Sequence, residues 1–123
     1  MTRSSTPRTP DDFLPLTHVV YHVLLSLSGE VRHGYAIIKD VEERTGGRLQ
    51  LEAGTLYAAI KRLRDDRLIE ERPTPSGADA RRRCYGLTRL GADVLREESL
   101  RLEELVEYAR GARVLPAGGG RVG

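Results

Sequence analysis

Tyr57, Lys61 and Arg64 recur at i, i+4 and i+7 within the stretch GTLYAAIKRLRDDRLIEE, residues 54–71. In a helix that spacing gathers the three side chains on one face. Lys and Arg displace counterions from phosphates, Arg also grips a guanine edge through two hydrogen bonds, and a Tyr hydroxyl donates to a phosphate. Leu56, Ala59, Ile60 and Leu63 meanwhile follow the i, i+3, i+4, i+7 pattern of a buried face. The stretch therefore predicts one helix with two jobs, an apolar side that anchors it and a cationic side that meets an anion. Thr55 and Arg62 join the polar candidates on this helix. Arg81, Arg82 and Arg83 form a second basic cluster just past the turn-forming residues PTPSGADA. Asp65 follows Lys61 by four residues and Asp66 follows Arg62 by four, so part of the positive charge is expected to be satisfied internally.

The formal net charge of +2 is too small to name a partner, but its distribution is uneven. From Lys61 to Arg89 there are nine basic and five acidic residues, a surplus of four positive charges; from Asp93 to Glu107 there are two basic and six acidic, a surplus of four negative ones. The first region suits a polyanion and the second repels one.

The elements that must position these residues can be read from pattern. LTHVVYHVLLSLSG predicts a first helix, with Thr17 as N-cap and Gly29 just past its end. YAIIKDVEERTGG sets Ile37, Ile38 and Val41 on one side and closes on two glycines, predicting a second, amphipathic helix. The third starts near Glu52 to Thr55 and stops near Asp66 or Arg67. The stretch LIEERPTPSGADARRRCYGLT then reads as a β-hairpin with a flexible tip, Tyr85 and Leu87 facing the helices. Thr88 caps a last helix through about Arg110, along which Leu95, Leu102 and Ala109 repeat every seven residues while Leu105 and Val106 widen the stripe. A stripe this long exceeds what a small core needs and predicts pairing with a second copy.

Three helices, a strand pair and a further helix make a mainly α chain with a small β-hairpin, a winged helix-turn-helix followed by a C-terminal dimerisation helix. The expected organisation is a flexible tail over 1–13, the winged domain over 14–88, the dimerisation helix over 89–110 and a second tail over 111–123. The 123 residues, 39% hydrophobic and 31% charged, suit one small domain. The longest apolar run, 19–27, is interrupted by His22 and Ser26 and falls far short of the roughly 20 residues of a membrane span. The N-terminal residues lack the apolar core of a secretory signal, and a lone Cys84 forms no internal disulfide. Both point to the cytoplasm.

Other chemistry finds little support. His18 and His22 stand at i, i+4, but no third metal ligand accompanies them, so packing is the reading and no metal or other cofactor is expected. No Ser, His and carboxylate set, phosphate-cradling Gly loop or Cys cluster is present, and no enzymatic mechanism follows. The rival from another class is a winged-helix module that docks a protein without binding DNA, because the same helix face and hairpin suit an acidic partner.

The segments HGYAI (33–37), GTLYAAIKRL (54–63) and RRRCYGLT (81–88) together resemble the PadR family of bacterial transcriptional regulators, and the resemblance runs from about Leu16 to Arg110. It implies a winged-helix homodimer, usually a repressor, with the GTLY helix in the major groove and the C-terminal helix in the dimer interface; two copies on one duplex in turn demand paired half-sites, hence a palindromic operator. Carried to this sequence, Tyr57, Lys61 and Arg64 fall on the reading helix, Arg81 and Arg82 on the wing, and Thr88 at the start of the last helix. The sequence departs from the family pattern at Ala58, Arg67 and Cys84. Some relatives hold an aromatic effector between subunits; Tyr21 and Tyr108 are the aromatic residues on the helices that would meet there.

Overall fold

The computed structural model describes residues 8–75 and 81–116. The tip of the hairpin and the outer parts of both expected tails lie outside the described residues.

Each helix starts and stops for a local reason. Helix α1, His18–Ser26, is capped by Thr17, whose Oγ1 accepts from the Val20 amide at 3.1 Å. Strand β1, Arg32–His33, leads into α2, Gly34–Arg44, where the His33 imidazole is the N-cap and accepts from the Ala36 amide. Helix α3 spans Ala53–Asp65, β2 Ile69–Arg72 and β3 Cys84–Leu87, and α4 spans Arg89–Gly111. Thr88 caps α4 by accepting from the Gly91 amide at 2.9 Å.

The sheet is larger than a hairpin. β3 is central, with β2 antiparallel on one side, pairing Ile69 with Leu87 and Arg72 with Cys84, and β1 antiparallel on the other, pairing Arg32 with Tyr85 and His33 with Cys84. Strand β1 is only two residues long, too short for alternation to betray it in a segment that reads as a turn. It matters because it fastens the start of α2 to the wing.

Leu56, Ile60 and Leu63 of α3 are buried with Val23, Leu24 and Leu27 from the first helical segment, Ile37 and Val41 from α2, and Leu68, Ile69, Tyr85, Val94 and Leu95 from the later elements. Each aliphatic side chain so buried is worth roughly 2 kcal/mol, which fixes the roll of α3 and therefore which residues it presents outward.

The outer residues correct the expected boundaries. Within the predicted N-terminal tail, Pro10–Phe13 form a short 3-10 helix: the Thr9 amide donates to the Asp12 carboxylate at 2.7 Å, and Phe13 packs against the core. Arg8 lies over the Phe13 ring, 4.1 Å from its centroid, and pairs with Asp66 at the end of α3. Composition rich in Ser, Thr and Pro hid these contacts, which are made with distant parts of the chain. Glu98 holds the same segment to α4. Its buried carboxylate accepts from the Leu16 amide at 3.0 Å and from Arg101 at 2.6 Å. The Arg101 hydrogen bond, helped by that of Leu16, holds the Glu98 pKa below the usual carboxylate range despite the opposing effect of burial.

The turn that leaves α3 is a Schellman motif: the Leu68 amide donates to the Leu63 carbonyl and the Arg67 amide to the Arg64 carbonyl, both at 2.9 Å. This places Arg67 at φ +62, a left-handed conformation normally given to glycine. The Arg67 carbonyl then accepts from the Thr88 hydroxyl at 2.7 Å, while the Leu68 carbonyl accepts from the Thr88 amide at 3.0 Å. Gly91 completes the joint, since a Cβ there would sit 1.9 Å from the Leu68 carbonyl oxygen.

Two predictions follow from these contacts. Arg67→Gly should stabilise the fold by about 0.5–1 kcal/mol, the relief of left-handed strain less the entropy of a freer unfolded chain, read as a higher urea midpoint at unchanged slope. Glu98 has a depressed folded pKa, so its contribution is present above the unfolded carboxylate pKa and is lost as pH falls through the folded value. Glu98→Gln should therefore lower stability at neutral pH by about 2 kcal/mol and flatten the acid limb of a stability-versus-pH curve.

Candidate nucleic-acid interface

The roll of α3 sorts its polar residues into three groups. At 100° per residue, Tyr57, Lys61 and Arg64 fall within an arc of about 60°, as their spacing predicts. Tyr57 is 49% exposed, and Lys61 and Arg64 are exposed as well. Thr55 and Arg62 are exposed on the opposite flank, where Arg62 lines a recess with Phe13, Pro15 and Thr17 rather than facing the wing. Between the two flanks, farthest from the core, runs the ridge Gly54, Ala58, Lys61 and Asp65, all exposed. Ala58 stood out in the sequence only as a departure from the family pattern, because a small uncharged side chain gives no sign that it lies on an outward ridge. No atom beyond the local chain lies within 4 Å of where a Gly54 Cβ would be. The first turns of α3 thus offer nearly bare backbone to anything that approaches.

Tyr57 does not simply point into solvent. Its ring leans across to the start of α2, where a Cβ at Gly34 would sit 2.2 Å from its hydroxyl oxygen. Gly34 leaves room for this approach, and any side chain there would displace the Tyr57 ring. The contact aims the hydroxyl at the first turn of α2.

The wing completes one concave surface. Arg81, Arg82 and Arg83 are exposed in the irregular segment immediately before β3, not on the strand itself. Together with His33, Gly34, Tyr35, Tyr57 and Tyr85 they line a recess of about 420 Å³. Tyr35 is 58% exposed and its ring stacks nearly parallel to that of His33, with centroids 6.5 Å apart. Neither His33 nor Tyr35 stood out in the sequence as part of this surface, because β1 brings them there. Arg82 reaches His33, its terminal nitrogen 2.7 Å from Nε2. Burial, followed by the Arg82 charge, lowers the His33 pKa. Tyr85 lies at the back of the recess, where burial raises its pKa first and Glu71 adds to the effect.

Several of the cations already have partners. Lys61 pairs with Asp65 at 3.1 Å and Arg83 with Glu71 at 3.2 Å, as the charge spacing on α3 foretells for the first pair. Both are exposed, so their net worth is small. A phosphate would exchange these pairs rather than meet bare charges.

The remaining predicted residues are distributed differently. Leu95 belongs to the chain's own core, so burial within one copy removes it from a stripe meant for a partner. Leu102 and Ala109 are half-buried, whereas Leu105 and Val106 are exposed at 46% and 40%. Leu100, absent from the heptad count, is exposed at 47%. Tyr21 is half-buried, with its hydroxyl 2.8 Å from Ser99 Oγ. Tyr108 stands nine residues farther along α4, about 14 Å away by helical rise, so the two tyrosines do not meet within one chain. Tyr108 is exposed at 63%, and a hydrogen bond from it to Glu104 raises its pKa. His18 and His22 contact each other edge to face, with centroids 4.7 Å apart, beside Arg44 and Arg48. Among the described residues no group of three or more His, Cys, Asp or Glu could hold a metal ion, and no helix is long and apolar enough to cross a membrane.

An outward helix resting on a helical core, flanked by a three-stranded wing bearing arginines, defines a winged helix-turn-helix protein. The chain belongs to the PadR-like family of transcriptional regulators, whose model matches residues 23–97. The family is one of regulators and not of enzymes. A PadR family transcription regulator from Clostridium difficile is similar in structure, with a TM-score of 0.67 at 26% identity over 77% of this chain and 97% of that one. A PadR family transcriptional regulator from Eggerthella lenta gives a TM-score of 0.62 at 29% identity, covering 76% and 80% of the two chains. Bacillus subtilis PadR, solved in complex with operator DNA, gives 0.57 at 26% identity, covering 66% of this chain but 46% of that one. A protein of Lysinibacillus sphaericus is 33% identical over 66 residues; the match spans 54% of this chain and 61% of that protein's length.

Proposed function

We propose that this regulator binds double-stranded DNA in a sequence-specific manner as a homodimer and acts as a cytoplasmic repressor at a palindromic operator. The observation that carries the reading is the shared orientation of α3 and the wing. One concave surface presents Tyr57 from the helix and Arg81, Arg82 and Arg83 from the wing, with Lys61 and Arg64 on the adjoining face of α3. The bare ridge at Gly54 and Ala58 lets the helix axis approach base edges closely, while Arg64 is long enough to reach them from the flank. The wing arginines supply phosphate contacts that set register. That Bacillus subtilis PadR was solved with operator DNA supports the same use of this fold.

Support for a dimer comes from α4. Leu100, Leu105, Val106 and Tyr108 lie uncovered along its second half. So many large apolar side chains on one helix mark an interaction surface, and a second copy offers the matching face. Two reading helices on one duplex would double the phosphate contacts, offsetting the internally paired charges of each α3.

In a gel shift against duplexes selected from a random pool, Arg64→Ala should weaken binding by about tenfold, since it removes a base or phosphate contact worth roughly 1–3 kcal/mol. Gly54→Leu should leave the melting temperature unchanged or higher and yet abolish binding, because the new side chain meets nothing in the protein and fills the space a groove would need. Failure of the wild type to shift any duplex at low ionic strength would instead favour the protein-docking reading. Leu105→Asp should turn a dimer into a folded monomer by light scattering, and the monomer should lose most of its affinity for a palindromic duplex. A dimer that survives this substitution would place the interface elsewhere.

A further inference from the structure

One cation predicted for the DNA face stands apart from its expected partner. The i, i+4 spacing assigns Asp66 to Arg62, but the Asp66 carboxylate pairs with Arg8 at 3.2 Å. Among the described residues Arg62 has neither a hydrogen bond nor an ion pair. It stands instead at the rim of a recess on the flank of α3 that faces away from the wing. Thr17 stands at the same rim. Its Oγ1 accepts from the Val20 amide, which leaves the hydroxyl proton to donate elsewhere.

Behind this polar rim the recess is apolar. Leu63 and Leu68, both buried, close its floor, and the half-buried Phe13, Leu16 and Val20 form its walls. The space is about 130 Å³. That is slightly less than the roughly 150 Å³ of a cavity that takes one benzene ring, so a single ring or a short branched chain fits and little more. With Asp66 matched by Arg8, Arg62 supplies one surplus positive charge at the mouth. The planar fork of a guanidinium fits the two oxygens of a carboxylate, and one such anion balances the charge.

We infer that this recess binds a small monocarboxylate with an apolar tail, the carboxylate held by Arg62 and Thr17 and the tail seated on Leu63 and Leu68. A neutral or cationic ligand of the same shape would leave Arg62 unmatched, and an anion without a tail would leave the floor wet. The site lies within one chain and neither Tyr21 nor Tyr108 lines it, which separates it from an aromatic site between subunits. It joins the segment before α1, α1 itself and the exit of α3, so a seated acid would tie the N-terminal segment to α3. It stands whether or not the wing engages DNA.

The test follows the backbone amide resonances of the full chain during titration with isovalerate and, separately, with benzoate. Both acids should move the amides of Thr17, Val20, Leu63 and Leu68 and reach saturation. Acetate, which lacks the tail, and isoamyl alcohol, which lacks the charge, should each bind more weakly by about tenfold or more. Arg62→Gln keeps an exposed polar side chain, so its melting temperature should match the wild type while its affinity for both acids falls about tenfold. Arg62→Lys, which keeps the charge without the fork, should fall between the two. An equal response to acetate would reduce the site to a surface ion contact, and an equal response to the alcohol would remove the part given to Arg62; either overturns the inference. So would wild-type affinity in Arg62→Gln, or shifts confined to other parts of the chain. The same shifts on raising the protein concentration, with no acid added, would make a second copy the occupant and overturn it as well.

Discussion

The arrangement depends on the joint where α3 ends and α4 begins. Twenty residues separate Leu68 from Thr88 in sequence, yet Thr88 bonds through its hydroxyl to the Arg67 carbonyl and through its amide to the Leu68 carbonyl. Gly91 makes room for that carbonyl where any side chain would collide with it. The α3 terminus and the α4 N-terminus therefore satisfy each other's backbone groups. This explains why a residue as unsuited to positive φ as Arg67 is held there: the surrounding hydrogen bonds over-determine the turn. A helix proposed to read DNA and a helix proposed to pair subunits thus share one rigid corner.

The second constraint lies at the opposite edge of the sheet. Strand β1 is two residues long, but it puts His33 beside Cys84 and so brings the first turn of α2 against the wing. Without it, Tyr35 and His33 would belong to a surface turn and Arg82 would have nothing to reach. Gly34 then lets Tyr57 close over that turn. The recess is accordingly assembled from three separate segments, each held by backbone pairing or close approach, with few side chains that must find their own position.

Local rules made much of this legible in the sequence. Thr17 and Thr88 announced their helices because a capping hydroxyl acts within three residues. The stripe of Leu56, Ile60 and Leu63 fixed the inward face of α3 because helical periodicity needs no tertiary information. Arg67 stood out as a departure from the family pattern, and it falls at a helix exit that calls for a left-handed residue. What stayed hidden depended on contacts remote in sequence. The Pro10–Phe13 helix rests on Asp66 and the core, and the role of Glu98 is visible only when Leu16 lies beside it. Leu95 matched the heptad repeat yet serves its own core, because a repeat records apolarity without recording who covers it. In the candidate site, charge drew attention to Lys61 and Arg64, whereas the ridge at Gly54 and Ala58 contributes shape, which a small uncharged residue does not announce.

The internal ion pairs on the proposed DNA face have a kinetic consequence. Asp65 beside Lys61 and Glu71 beside Arg83 place a carboxylate next to a cation that would otherwise hold any phosphate at random. A surface of this kind gains little from mere proximity to a polyanion, so lodging on arbitrary stretches of a chromosome would be brief. Residence would lengthen only where groove shape and base edges repay the exchange of partners. The carboxylates would then act as a filter against idle binding, trading some capture speed for a faster search between sites.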